Sequence, residues 1–306
     1  MKISKLTSSS LVIIAVFILN LWTSAANAQS ACTAASDAST LTTGAGDNWA
    51  QYKSTPDAMK LKFYKMALCT SKPTFSDDST CVYLLNKTTS VEAEISVGGT
   101  TNLISGDVSI PEGTYPYAML LIDTTIGIKK TLEFNTGNEQ YDGLGNQGKY
   151  CWTNGNPVTW GYAANANYPI TCGSTPTPAF SYETFIAYGE DAPTCVVNKV
   201  LNEQTSTTKF DIYLLHDLNT AADVAHTNCM PSIPANNKAK YMWGVQTFNT
   251  PPVISANTQR IDMGFKLTDG INVSLNAWQG NCNAGAGNEC VESANIMSFA
   301  FTMATE

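Results

Sequence analysis

Arginine and histidine are almost missing from this chain. Among 306 residues, Arg260 is the only arginine, and His216 and His226 are the only histidines. The planar guanidinium fork that reads phosphate or carboxylate is therefore nearly absent. The formal net charge is −8. A surface of that sign repels phosphate backbones, which argues against nucleic-acid binding. Two histidines and no C-x-x-C pair supply a zinc site poorly. Neither G-x-S-x-G nor H-E-x-x-H occurs, so the common hydrolase signatures are missing. A long helical period is also lacking; the one short helix expected is Asn219–His226, capped by Asn219.

Apolar length is scarce except at the start. Lys2 and Lys5 precede the run Leu11–Trp22, and Ala26-Asn27-Ala28 follows it. That pattern predicts a signal peptide over residues 1–28 with a mature N-terminus at Gln29. The run is shorter than the roughly 20 apolar residues a spanning helix needs, and no later stretch is longer. No membrane span is expected in the mature chain. A lipid anchor on Cys32 fits less well, because Gln29-Ser30-Ala31 lacks the apolar residue usual three places before such a cysteine. Removal of residues 1–28 leaves 278, and loss of Lys2 and Lys5 takes the charge from −8 to −10. Acidity of this size serves solubility.

All nine cysteines lie beyond the signal, and export makes disulfides their natural state. Close spacing suggests the local pairs Cys69–Cys81, Cys151–Cys172, Cys195–Cys229 and Cys282–Cys290. Non-local connectivity stays open, since spacing alone fixes no pairing. Cys32 is then left over, free or joined to another chain.

Residues 29–48 are small, polar and aperiodic, and read as a flexible arm. From Trp49 onward the texture is strands and turns. Met59, Leu61 and Phe63 alternate with lysines, after which Tyr64, Met66 and Leu68 continue on the other parity. Such a switch means a bulge or a strand covered on both faces. Val91, Ala93, Ile95 and Val97 alternate with Glu92, Glu94 and Ser96, a half-buried strand with an acidic outer side. Ile261–Leu267 and Ile271–Leu275 alternate about Thr268-Asp269-Gly270. A three-residue hairpin turn with Gly270 left-handed gives matching faces. Met297, Phe299, Phe301 and Met303 form the last strand. The expected architecture is an all-β, antiparallel Greek-key β-sandwich, immunoglobulin-like in outline, over residues 49–306. A disulfide-braced loop insertion occupies about 136–240, interrupted by the strand-like KFDIYLL at 209–215; a separate small domain is the alternative there.

Several apparent motifs dissolve on inspection. Ser206-Thr207-Thr208-Lys209 has S-x-x-K spacing, but that motif needs a helix and its companion motifs are absent. Asn138-x-Gln140-x-Asp142-Gly143 imitates a calcium loop, yet the twelfth position is Lys149 rather than the bidentate glutamate. His216, Asp217, Asp223 and His226 follow no ligand spacing rule. No cofactor is expected. The best binding candidates are Tyr150, Trp152, Trp160, Tyr162 and Tyr168, crowded around Cys151 and Cys172. Such rings stack on sugar faces or supply rigid contact area for a protein. Equally, they can fill a small core beneath a long loop.

Ile110-Pro111-Glu112-Gly113-Thr114-Tyr115 opens a strand with the L-P-x-G-x-Y pattern. Over about thirty residues it resembles the exported prealbumin-like and collagen-adhesin B-repeat-type β-sandwiches. The resemblance implies a surface-exposed, non-catalytic module. Pro111 fixes the backbone and Gly113 is expected to supply a positive dihedral. A tyrosine hydroxyl bonding back across the corner would resemble the tyrosine corner of sandwich folds. Tyr117, Met119 and Leu121, grouped with Tyr115, should face one side and Ala118, Leu120 and Ile122 the other. Some such domains carry a Lys–Asn isopeptide bond. Lys60 or Lys62 with Asn295 could be imagined in that role, but disulfides already offer the staple and the bond is not expected. Three functions follow: a secreted surface structural or adhesive protein, a carbohydrate-binding module using the aromatic loop, or a secreted hydrolase with unidentified catalytic residues. The partners expected are a surface protein or glycan, with self-association through the N-terminal arm or Cys32.

Overall fold

A computed structural model describes residues 49–74, 77–97, 109–134, 140–158, 168–184, 199–200, 208–215, 240–258, 261–276, 290–296 and 300–305. The expected signal peptide and arm, the helix at 219–226, and Met297 and Phe299 lie outside these. Among the described residues every regular element is a strand. In chain order they are β1 (Trp49–Ser54), β2 (Ala58–Cys69), β3 (Cys81–Ser96), β4 (Gly113–Thr114), β5 (Tyr117–Asp123), β6 (Thr125–Lys129) and β7 (Thr131–Glu133). Next come β8 (Gln140–Tyr141), β9 (Gln147–Gly148), β10 (Tyr150–Thr153), β11 (Ile170–Gly173), β12 (Ser181–Thr184), β13 (Lys199–Val200) and β14 (Thr208–Leu215). The last are β15 (Tyr241–Phe248), β16 (Val253–Ile254), β17 (Ile261–Lys266), β18 (Ile271–Asn276), β19 (Cys290–Ile296) and β20 (Ala300–Thr305).

These strands make an all-β sandwich of antiparallel sheets. The largest has eight strands in the order β12-β6-β2-β5-β15-β14-β13, with β3 added to β2. A second has five, β1-β18-β19-β8-β9, in which only the short β19–β8 contact is parallel. A three-stranded sheet β11-β10-β7 and the pairs β16–β4 and β17–β20 complete it. Met59, Leu61, Phe63, Ile95 and Ile128 from the large sheet meet Ile271, Val273, Leu275, Val291 and Phe301 in one core. Within the stretch 136–240, β12 pairs with β6 and β14 with β15, so both extend the large sheet.

The parity switch in β2 is both a bulge and two-sided burial. Phe63 faces Val91 and Lys65 faces Asn86, so residues 87–90 of β3 lie opposite Tyr64 alone. Past the slip, Met66 and Leu68 stay in the main core. Ala67 and Cys69 enter a second cluster with Met119, Leu121, Trp243 and Val245 on the other face. The same excursion breaks up β3, which among the described residues pairs only with β2. Interrupting an edge in this way discourages another chain from adding to it.

The proline-glycine corner is held by its tyrosine. Tyr115 is 1% exposed, and its Oη donates to the Pro111 carbonyl at 2.7 Å. Its backbone N–H donates to the Pro252 carbonyl at 3.0 Å, while Phe248 N–H donates to the Pro116 carbonyl at 2.9 Å. Two expectations about this segment need correction. Gly113 is not left-handed: the positive-φ glycines among the described residues are Gly145 and Gly155. A Cβ at 113 would meet only the Tyr115 ring at 3.7 Å, an ordinary contact. Tyr115 also joins Ala118, Leu120 and Ile122 in the main core rather than sharing a side with Tyr117. Pro116 lies between them, and regular alternation starts only at Tyr117.

The expected hairpin at 261–275 is likewise overturned. β17 pairs with β20, whereas β18 pairs with β1 and β19. The turn between them is tight, with Gly270 N–H on the Leu267 carbonyl at 2.9 Å. Its left-handed residue is Asp269 (φ 53°), not Gly270. Leu267 and Ile271 are both buried, so matched apolar parity reflected a common core and not a shared ladder.

Two of the expected disulfides are present. Cys69–Cys81 and Cys151–Cys172 each join directly opposed residues of antiparallel neighbours. Cys290 is also disulfide-bonded, and Cys32, Cys195, Cys229 and Cys282 lie outside the described residues.

One side chain substitutes for a strand. Gln246 Nε2 donates to the Phe301 carbonyl at 2.7 Å, and Phe301 N–H donates to Gln246 Oε1 at 2.8 Å, both buried. The carboxamide thus completes the edge of β20 that β17 leaves unpaired. Gln246→Leu keeps the volume but strands both Phe301 groups, so a loss of about 2–3 kcal/mol is expected. Urea unfolding reads this as a lower midpoint with an unchanged slope; an unchanged midpoint would show that the contact contributes nothing.

Candidate functional site

The expected aromatic cluster sits on the three-stranded sheet, where β10 pairs with both β11 and β7. Alternation along YCWT puts Tyr150 and Trp152 on one side and Cys151 on the other. Trp152 is 7% exposed, and a Cβ on Gly173 would come within 3.1 Å of its ring. Its indole packs over that glycine as part of the interior. Tyr168 occupies the space a side chain at Gly143 would need, since a Cβ there would lie 2.2 Å from the ring. Tyr150 is half-buried beside an ion pair: Lys149 Nζ lies 2.7 Å from Glu133 Oε1 and 5.3 Å from the Tyr150 ring centre. A hydrogen bond from Lys149 holds the Glu133 carboxyl below its ordinary range. The three described rings are therefore held by separate contacts. Trp160 and Tyr162 lie outside the described residues.

Buried acids in this region bind backbone. Asp142 is 0% exposed. Its Oδ1 accepts from Leu144 N–H and Asn146 N–H, both at 2.9 Å, and its Oδ2 from Asn146 Nδ2 at 2.8 Å and Cys172 N–H at 3.1 Å. Gly145 (φ 88°) lets the chain turn beneath it. The carboxylate that imitated a calcium ligand thus points both oxygens at N–H donors, which a cation would repel. Glu183, also buried, accepts from Ile296 N–H at 2.7 Å, tying β12 to β19. Among the described residues no group of three or more His, Cys, Asp or Glu could hold a metal. His216, Asp217, Asp223 and His226 lie outside them, as do Ser206, Thr207 and Asn138. Lys209 lies on strand β14, not on a helix. Lys60 and Asn295 are not brought together: Lys60 pairs with Glu92 at 3.7 Å on the outer side, and buried Asn295 accepts from Ser293 Oγ.

A different aromatic group emerges on the outer face of the large sheet. Tyr182 on β12, Gly127 on β6, Lys60 on β2 and Glu94 on β3 stand in one cross-strand row. A Cβ at Gly127 would lie 2.9 Å from the Tyr182 ring, 3.1 Å from Lys60 Cβ and 3.2 Å from the Phe180 ring. The Phe180 ring centre is 4.7 Å from Lys60 Nζ and 4.8 Å from Lys129 Nζ. Lys129 in turn pairs with Glu94 at 3.1 Å. Tyr182 is 36% exposed, one of the few large apolar side chains at the surface among the described residues. The sequence signal was the glycine inside TIGIK, which marks close approach of another group. Nothing local joined it to residue 182.

Phenols wholly or partly buried, Tyr115 fully and Tyr64, Tyr83 and Tyr168 in part, give the fold a pH limit. Burial pushes the hydroxyls of Tyr64, Tyr83, Tyr115 and Tyr168 above their ordinary pKa of 10.0. Nearby carboxylates push the same way: Asp123 on Tyr64, Asp78 on Tyr83, and Glu292 and Asp142 on Tyr168. No family model, curated protein or solved structure matches the chain.

Two outcomes are expected. Asp142→Ala strands donors from the turn and from β11, and should cost about 2–3 kcal/mol with little change in far-UV circular dichroism; wild-type stability would show that the turn holds without its carboxylate. A phenol whose folded pKa is raised favours the folded state while neutral, so its contribution is complete below about pH 10 and is lost as pH rises through the folded value. Stability should therefore be flat from neutral pH to about 9 and fall above 10, with tyrosinate absorbance appearing together with unfolding. Full tyrosine titration in a chain that stays folded would contradict this.

Proposed function

We propose that the chain is an exported, non-enzymatic surface module with a structural or adhesive role. The observation that carries this reading is the use made of buried carboxylates. Asp142 and Glu183 are the buried acids among the described residues, and both accept from backbone N–H groups that join separate strands. A general acid or base needs a proton position facing substrate, and these two are turned into the framework. Cross-strand disulfides support the same reading and are compatible with an extracellular location. No helix among the described residues is long and apolar enough to cross a membrane. The Tyr115–Pro111 bond resembles the tyrosine corner of sandwich folds, which suits a surface sandwich of the kind proposed.

The test uses full-length protein exported through an oxidising compartment. It should bind to surface preparations of the producing cells, or assemble with itself, and show no turnover on polysaccharide or peptide panels. Turnover, retained through repurification and abolished by a single acidic substitution, would overturn the reading.

A further inference from the structure

Among the described residues Tyr182 is the aromatic side chain exposed at the surface, at 36%, and one side of its ring is packed. Gly127 is the residue on which this depends, because a Cβ there would collide with the Tyr182 ring and crowd that of Phe180. Packing of a ring over a cross-strand glycine is a recognised way to stabilise a sheet. It explains one side of the Tyr182 ring. It does not explain why the remainder is left in solvent beside two lysine–glutamate pairs.

We propose that the outer strip formed by Tyr182, Phe180, Lys60, Lys129, Glu92 and Glu94 binds a glycan chain laid across the strands, with a pyranose ring stacked on Tyr182. Three considerations select this ligand. The row crosses four neighbouring strands, and three spacings of about 4.8 Å give about 14 Å, the length of a short oligosaccharide. Its charges nearly balance, with ammonium donors and carboxylate acceptors paired at 3.1 and 3.7 Å. That arrangement suits hydroxyls, which both donate and accept, better than a polymer of one charge. Both lysine ammonium groups also rest against the Phe180 ring, so the apolar floor is held before a ligand arrives and little ordering is lost on binding. The inference rests on the adhesive reading above and names the surface it would use.

Glycan-array binding and affinity electrophoresis in immobilised polysaccharides test it, comparing wild type with Tyr182→Ala, Tyr182→Trp and Tyr150→Ala. Thermal melting confirms that each variant is folded. Wild type should be retained by at least one polysaccharide, with retention surviving high salt. Tyr182→Ala should weaken it at least about tenfold, the loss expected on truncating a central aromatic contact, while Tyr182→Trp and Tyr150→Ala stay near wild type. Undiminished binding by Tyr182→Ala, loss in Tyr150→Ala instead, or binding abolished by salt would each overturn the assignment. No glycan bound by wild type would also overturn it. If cell-surface adhesion persists in that case, a protein partner is indicated and the adhesive reading stands; if adhesion is absent too, both fail.

Discussion

The run Tyr117–Ile122 offers no polar side, and the sandwich is arranged around the need to bury both of its faces. β5 meets that need by lying between β2 and β15. Ala118, Leu120 and Ile122 then fill the main core, while Met119 and Leu121 meet Ala67, Trp243 and Val245 on the other side. A strand so placed cannot end in open solvent without exposing its first apolar residues. The Tyr115–Pro111 bond closes that end, and the Pro252 and Phe248 contacts fasten the corner to the end of β15 and the segment that follows it. Burial of this kind is the dominant favourable contribution to folding; the hydrogen bonds decide which arrangement of it is allowed.

Polar groups inside the sandwich act as connectors between sheets that share no ladder. Gln246 links β15 to β20, Glu183 links β12 to β19, and Asp142 links its own turn to β11. In each case a side chain satisfies a backbone group that no strand reaches. A buried backbone amide without a partner is costly, so each connector also penalises alternative packings of the same strands. The two cross-strand disulfides act within ladders, at Cys69–Cys81 and Cys151–Cys172. Covalent and polar ties are therefore complementary in where they work.

What could be read from the residues divides by range. Local alternation located the buried side of Ala93 and Ile95, with Val91 half-buried, but failed at Val97, which is 62% exposed where the strand runs out. Close spacing located two disulfides, and the proline-glycine-tyrosine pattern announced a corner. Pairing between distant strands could not be read. Alternation at 261–275 told which side chains face inward, and the same parity served two different sheets. Trp152 could not be told from a surface ring because the deciding neighbour, Gly173, matters only through the β10–β11 register. Tyr182 had no signal of its own, since its neighbours at 127 and 60 belong to other strands.

The slip at Tyr64 links these levels. Before it, the outward residues of β2 are Lys60 and Lys62, facing Glu94 and Glu92; after it, Ala67 and Cys69 join an apolar cluster. One irregularity thus divides the outer face of the large sheet into a charged half and a buried half. Tyr64 stands at the boundary, its ring edge-on to Tyr241 at 5.1 Å, with Asp123 close enough to help raise its pKa. Had the alternation continued unbroken, Tyr64, Met66 and Leu68 would have faced outward and Lys65 would have been turned into the main core. The slip thus sets which residues of β2 cover each face of β5, while the exposed ring-and-charge strip lies on the stretch of β2 before it.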